Sequence, residues 1–180
     1  MRALFLGVLL LSGMSSTFAQ ESNASATASQ TVQLVLNPSI DLRFSETSTN
    51  NGALVSLNFS TINNYSSGVV SGVQELEVRS NKNFKISVQT DAAHFSYNGL
   101  SSNMPVANTL FMAVTGNTTG GTLTAGLGAY KSLSAMSSDL LLNGSFGEGK
   151  KLAFAYKAKP SEDFPPGVYS VGVLYTATQP

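Results

Sequence analysis

Few side chains in this sequence have the chemistry for catalysis. His94 is the sole histidine and there is no cysteine. One His without Cys cannot build the usual zinc sites, and the missing thiols remove thiol catalysis, thiolate ligands and disulfides together. His94 lies in Asp91-Ala92-Ala93-His94-Phe95 and is expected as a half-exposed strand or turn residue. Serine is abundant, yet there is no Gly-x-Ser-x-Gly elbow and no persuasive Ser–His–acid order. Glu75 and Glu77 share one face of a segment whose other face holds Leu76 and Val78. Paired carboxylates serve glycoside hydrolysis, but this alternation points them to solvent. Glu162-Asp163, before Phe164-Pro165-Pro166, is expected in an exposed loop. Asn23, Asn58, Asn64, Asn117 and Asn143 each open an Asn-x-Ser/Thr triplet, a glycan-acceptor pattern that arises by chance in a chain rich in these residues. Gly116–Gly121 is turn chemistry, without the lysine of a phosphate cradle. The expectation is a protein that is not an enzyme, with no catalytic residue, cofactor or metal.

The elements that carry these residues begin with an export signal. Met1-Arg2, the apolar run Ala3–Leu11 and the small and polar stretch to Gln20 follow the order of a secretory signal. The expected cut is after Ala19, which makes residues 1–19 a signal peptide. The apolar run is shorter than the roughly 20 residues a spanning helix needs, so the mature chain is expected to lack a membrane span. Residues 20–30 read as a flexible Ser/Ala/Thr/Asn extension, and residues 31–180 as one β domain, long enough for a real core. Lys and Arg number 10, as do Asp and Glu. Such a chain lacks the basic footprint that nucleic acid requires.

From Thr31 onward the apolar period is two. Val32, Leu34 and Leu36 share one face. Ile40, Leu42 and Phe44 form a second row, Val55, Leu57 and Phe59 a third. Thr49–Gly52 is a turn signal, and 62–73 reads as a loop. Leu76 and Val78, then Phe84, Ile86 and Val88, straddle Asn81-Lys82-Asn83 and read as a hairpin with one wet face. Later strands are expected over 109–114, 122–124, 129–133, 139–142 and 151–157. The last, Val168–Ala177, points Tyr169, Val171, Val173, Tyr175 and Ala177 inward. Strands at short spacing, split by Gly, Asn and Pro and without βα alternation, predict an all-β antiparallel sandwich.

The two ends carry the most suggestive pattern. A flexible leader precedes Val32, Leu34 and Leu36; Gly167 precedes Tyr169, Val171, Val173 and Tyr175. An extended segment can add to an exposed sheet edge, main-chain hydrogen bonds giving affinity and alternate side chains giving specificity. These eight residues are the candidate strand-addition set. The plainer alternative is that both segments are ordinary first and last strands of one sandwich, paired with each other.

Gln74–Phe84, with Phe164-Pro165-Pro166-Gly167-Val168-Tyr169 and the strand through Tyr175-Thr176-Ala177-Thr178, resembles a family of exported proteins of Gram-negative bacteria related to pilin-like and spore-coat-U-like sandwiches. The resemblance spans most of the mature chain. It implies an immunoglobulin-like sandwich in the periplasm or on the surface and brings no catalytic residues. The chain departs from typical chaperone–usher pilins by lacking their usual disulfide. The expected function is structural or adhesive at the cell surface, as a filament or matrix subunit pairing strands with itself or another envelope protein. The alternative is a carbohydrate-binding module, for which Tyr65, Phe95, Tyr97 and Tyr130 are the candidate aromatics.

Overall fold

The computed structural model describes residues 25–45 and 54–180. The signal-peptide segment and the turn at 49–52 lie outside the described residues. The chain divides after Val35 into two units. In the first, residues 25–35 carry no helix or strand and are exposed. The strand expected over 31–37 is therefore absent: alternation supplies an apolar face, but a strand also needs a partner, and none is paired there.

The second unit is an all-β antiparallel sandwich. Its elements are β1 (Ile40–Phe44), α1 (Ile62–Ser67), β2 (Val69–Val70), β3 (Gln74–Ser80), β4 (Phe84–Thr90), β5 (His94–Tyr97), β6 (Leu100–Pro105), β7 (Leu110–Asn117), β8 (Thr122–Leu123), β9 (Lys131–Ser132), β10 (Ser138–Gly144), β11 (Gly147–Ala158), β12 (Tyr169–Ser170) and β13 (Val173–Thr178). One sheet runs β1-β3-β11-β7-β9, with β2 also on β11; the second runs β13-β4-β10-β8; a small third sheet is β12-β5-β6.

The two larger sheets meet through one apolar cluster. Leu76 and Val78 of β3, Met112 and Val114 of β7, and Leu152, Phe154 and Tyr156 of β11 come from the first sheet. Phe84, Ile86 and Val88 of β4 and Leu140 and Leu141 of β10 come from the second. The large apolar residues alternate along each of β3, β4, β7 and β11 because successive side chains leave opposite faces of a pleated sheet, with the small Ala113 and Ala155 buried on the other face. β10 departs from this at a register shift between Asp139 and Leu141, which turns Leu140 and Leu141 both inward.

Several expectations need correction. β3 and β4 are not a hairpin: β3 pairs with β1 and β11, whereas β4 pairs with β13 and β10. The 81–83 turn carries the chain from one sheet to the other, so both apolar rows face the same core. Period-two alternation looks the same for either arrangement. Residues 62–73 are not only loop. Asn64 Oδ1 accepts from the main-chain N–H of Ser60 and Thr61 and from Thr61 Oγ1, tying the start of α1, and the Gly68 N–H closes its end on the Asn64 carbonyl at 2.8 Å. The last strand is also two, β12 and β13, in different sheets. At the break the Gly172 N–H donates to Asp91 Oδ1 at 2.9 Å and the Asp91 N–H to the Gly172 carbonyl at 3.0 Å. A Cβ on Gly172 would fall on the Asp91 carboxylate.

Glu75 and Glu77 lie on the outer face of the first sheet, where Lys151 Nζ meets Glu75 Oε1 at 2.8 Å and Arg43 Nη2 meets Glu77 Oε2 at 3.3 Å. His94 opens β5 and is exposed. Among the described residues no cluster of three His, Cys, Asp or Glu side chains is placed to hold a metal, and no helix is long and apolar enough to cross a membrane.

Candidate interaction surface

The core is well covered on one side and poorly on another. Beside the buried cluster, the apolar residues that pack on it yet stay half-exposed are mainly Ile40, Leu42 and Phe44 of β1, Val55, Leu57 and Phe59, and Val171, Val173 and Tyr175. The β1 and β13 rows share a flank. The Phe44 and Tyr175 rings meet edge to face at 6.0 Å, and Phe59 packs on Tyr65 at 5.2 Å.

Backbone pairing is incomplete on the same flank. Among the described residues β1 has β3 as its one ladder partner and β13 has β4. Residues 54–59 alternate exposed and half-buried as a strand does, but among the described residues they belong to no ladder. Unpaired edges beside half-covered apolar rows are a template for another strand.

The eight candidate residues divide between the two units. Val32, Leu34 and Leu36 are 78%, 82% and 86% exposed. A fully exposed apolar row is costly, and burial would stabilise it by about 1.5–3 kcal/mol per side chain. Gly167 lies against Tyr97, whose ring occupies the space a Cβ would need. Tyr169 in β12 is opposite Tyr97 of β5, with ring centroids 4.9 Å apart. The Tyr97 hydroxyl donates to the Pro166 carbonyl at 3.1 Å and that of Tyr169 to the Pro165 carbonyl at 3.0 Å. These bonds fix the Pro165-Pro166-Gly167 corner. Loss of water, with Tyr97 and Tyr65 nearby, holds the Tyr169 hydroxyl above its ordinary pKa.

Val173 and Tyr175 belong to β13, opposite Thr90 and Val88. The Tyr175 ring packs on Phe154 at 5.1 Å. Its hydroxyl shares a 2.6 Å hydrogen bond with that of Tyr156 and donates to Met112 Sδ at 3.4 Å. Burial pushes the Tyr156 pKa up to about 12, and burial beside Tyr156 pushes Tyr175 well above its ordinary value. Tyr175 is thus a core anchor, whereas Gly167 and Tyr169 build the corner at the end of the sandwich.

That end holds a groove of about 810 Å³ whose walls include Tyr65, Asn108, Lys159, Glu162, Asp163 and Phe164. The sequence marks Tyr65 as a candidate aromatic but not its distant partner Phe164. Phe95 packs on the core, and Lys157 Nζ stands 5.8 Å over the Tyr130 ring. The four aromatics considered for carbohydrate therefore do not form one platform.

Comparison with protein-family models and with curated proteins returned no match.

Proposed function

We propose that this protein is an exported structural subunit of the cell envelope, built on an immunoglobulin-like sandwich, that assembles by strand addition. The row Val32, Leu34 and Leu36 of one copy adds beside β13 of another, over the half-covered row Val173, Tyr175 and Ala177. The observation that carries this reading is the coincidence of two deficits. An apolar row stands exposed on the N-terminal segment, and a flank of the sandwich has apolar rows half-covered and a sheet edge that no described residue pairs. Each supplies what the other lacks. Export, and a place in the periplasm or on the surface, follow from the N-terminal signal pattern.

The test is the solution size of the mature chain by sedimentation, with and without residues 21–36. The intact chain is expected to self-associate and the shortened chain to remain a folded monomer by circular dichroism. A shortened chain that self-associates as the intact one does would remove the strand-addition reading.

A second reading, carbohydrate binding, is supported by the groove that brings Tyr65 and Phe164 together beside Asn108 and two carboxylates. Ring faces suit sugar stacking and the polar groups suit hydroxyls. Glycan-array binding that is lost in Tyr65→Ala and Phe164→Ala would support it; binding indifferent to both would remove it.

A further inference from the structure

The strand registers give the sandwich two distinct ends. Ser80 opposes both Ile40 and Gly147, so the start of β1, the 81–83 turn and the 144–147 turn lie at the first end. Ala158 opposes Leu110, and Val173 opposes Thr90, so the 159–164 loop and the start of β13 lie at the second. β11 spans both, and its twelve residues cover about 36 Å at ~3.3 Å per step.

The N-terminal segment joins the sandwich at the first end. Asn81 Oδ1 accepts from the Ser39 N–H at 2.8 Å, Asn81 Nδ2 donates to the Asn37 carbonyl at 2.7 Å, and Gln179 Nε2 donates to the Ser39 carbonyl at 2.8 Å. From Leu36 to Ser39 the chain reaches at most about 10 Å. A donor row docked through Leu36 therefore holds its own first end within that distance of the acceptor.

Direction decides which acceptor end is met. Every ladder among the described residues is antiparallel. Antiparallel addition to β13 places Leu36 beside Val173, at the acceptor's second end. The contact is then head to tail, which propagates as an open chain.

Each end carries a feature suited to the other. At the first, Phe146 stands 64% exposed on the tight turn between β10 and β11. Its N–H is held by Asn83 Oδ1 at 3.3 Å, and it borders a cleft with Ser39, Asp41, Arg79 and Glu148. Lys82 lies on the neighbouring turn, with its ammonium on the Pro180 carbonyl at 3.1 Å. At the second end is the groove with Phe164 and Tyr65 on its walls, the carboxylates of Glu162 and Asp163, and one cation, Lys159. An exposed Phe on a turn can seat between two aromatic walls, and a lysine beside it suits a recess that carries two carboxylates against one lysine.

We propose that the groove at the second end receives the Phe146 turn of a second copy of this chain, forming an end-to-end contact additional to the added strand. The contact rests on the strand-addition reading, because the short Leu36–Ser39 link is what brings the two ends together.

The test uses the mature chain carrying Phe146→Arg, which spoils the turn, or Phe164→Arg, which spoils the groove. Self-association is measured by sedimentation, with Leu34→Arg as a separate variant of the strand. Each end variant is expected to weaken self-association about 30-fold, as loss of a central aromatic anchor does. An equimolar mixture of the two end variants retains one intact turn facing one intact groove. It is expected to form a dimer of wild-type affinity that neither variant forms alone, a result that misfolding cannot produce. If Leu34→Arg weakens association but the end variants do not, strand addition stands and the end contact falls. If Leu34→Arg has no effect, strand addition itself falls. An end-variant mixture that forms no dimer, or an oligosaccharide that fills the groove without altering self-association, would also overturn the end contact.

Discussion

The two flanks of the sandwich are built from the same alternating pattern and differ in what covers them. At the centre, β4, β7, β10 and β11 lie between neighbours, and Ile86, Met112, Leu141 and Phe154 are wholly buried. On the flank of β1 and β13, apolar rows remain half-exposed, and among the described residues each of these strands is paired along one side only. Hydrophobic side chains alone do not make a closed core; coverage by a further strand does.

This contrast can be broken most strongly at Phe154. Its side chain is fully buried and touches both Tyr156 and Tyr175. Phe154→Ala is expected to cost about 3–5 kcal/mol in denaturant unfolding. A cost below about 1 kcal/mol would mean that the centre is as loosely covered as the flank.

The paired tyrosines give a somewhat smaller effect. The Tyr156 pKa is raised by burial to about 12, so the folded state holds its proton more tightly than the unfolded state. That stabilisation is complete below about pH 10 and is lost as pH rises from there toward 12. Two units correspond to about 3 kcal/mol. Stability measured against pH should fall over that range in the native chain and fall less in Tyr156→Phe. Equal slopes would show that the hydroxyl pair does not sense the core.

The smallest effect is on the flank. Leu42 of β1 is half-exposed, so Leu42→Ala is expected to cost about 1 kcal/mol, below the range for a fully buried leucine. The comparison sharpens when a peptide of residues 29–37 is added. If the peptide covers the flank, it stabilises the native chain and the same substitution becomes more costly. A cost independent of peptide would place the added strand elsewhere.

Much of the sandwich was legible in the sequence because period-two rows identify strands whatever they pair with. β1, β3, β4, β7, β11 and the inward row of β13 follow from that pattern alone. Pairing was not legible. β3 and β4 read as a hairpin because alternation cannot distinguish a turn within one sheet from a crossing between two. The break at Gly172 was hidden because alternation continues from Tyr169 to Ala177 across it; what splits the strand is the Asp91 contact, from a distant segment. β5 and β6 went unpredicted because His94–Pro105 is rich in Ser and Asn and has no apolar row. Of the candidate site, the row Val32, Leu34 and Leu36 was visible as an alternating apolar face but read as a strand, and its exposure was not visible. The half-covered flank was not, because coverage depends on which strands neighbour β13. The end groove was equally hidden, since Tyr65 and Phe164 come to line one groove only after folding.

The central claim is that β13 presents a free edge to a strand from another copy. Hydrogen exchange at residues 173–178 tests it directly, measured on the chain lacking residues 21–36 with and without the 29–37 peptide. Slower exchange in β13 on adding the peptide, with the already paired amides of β11 unchanged, is the predicted result. Peptide binding that leaves β13 exchange as it was would contradict it.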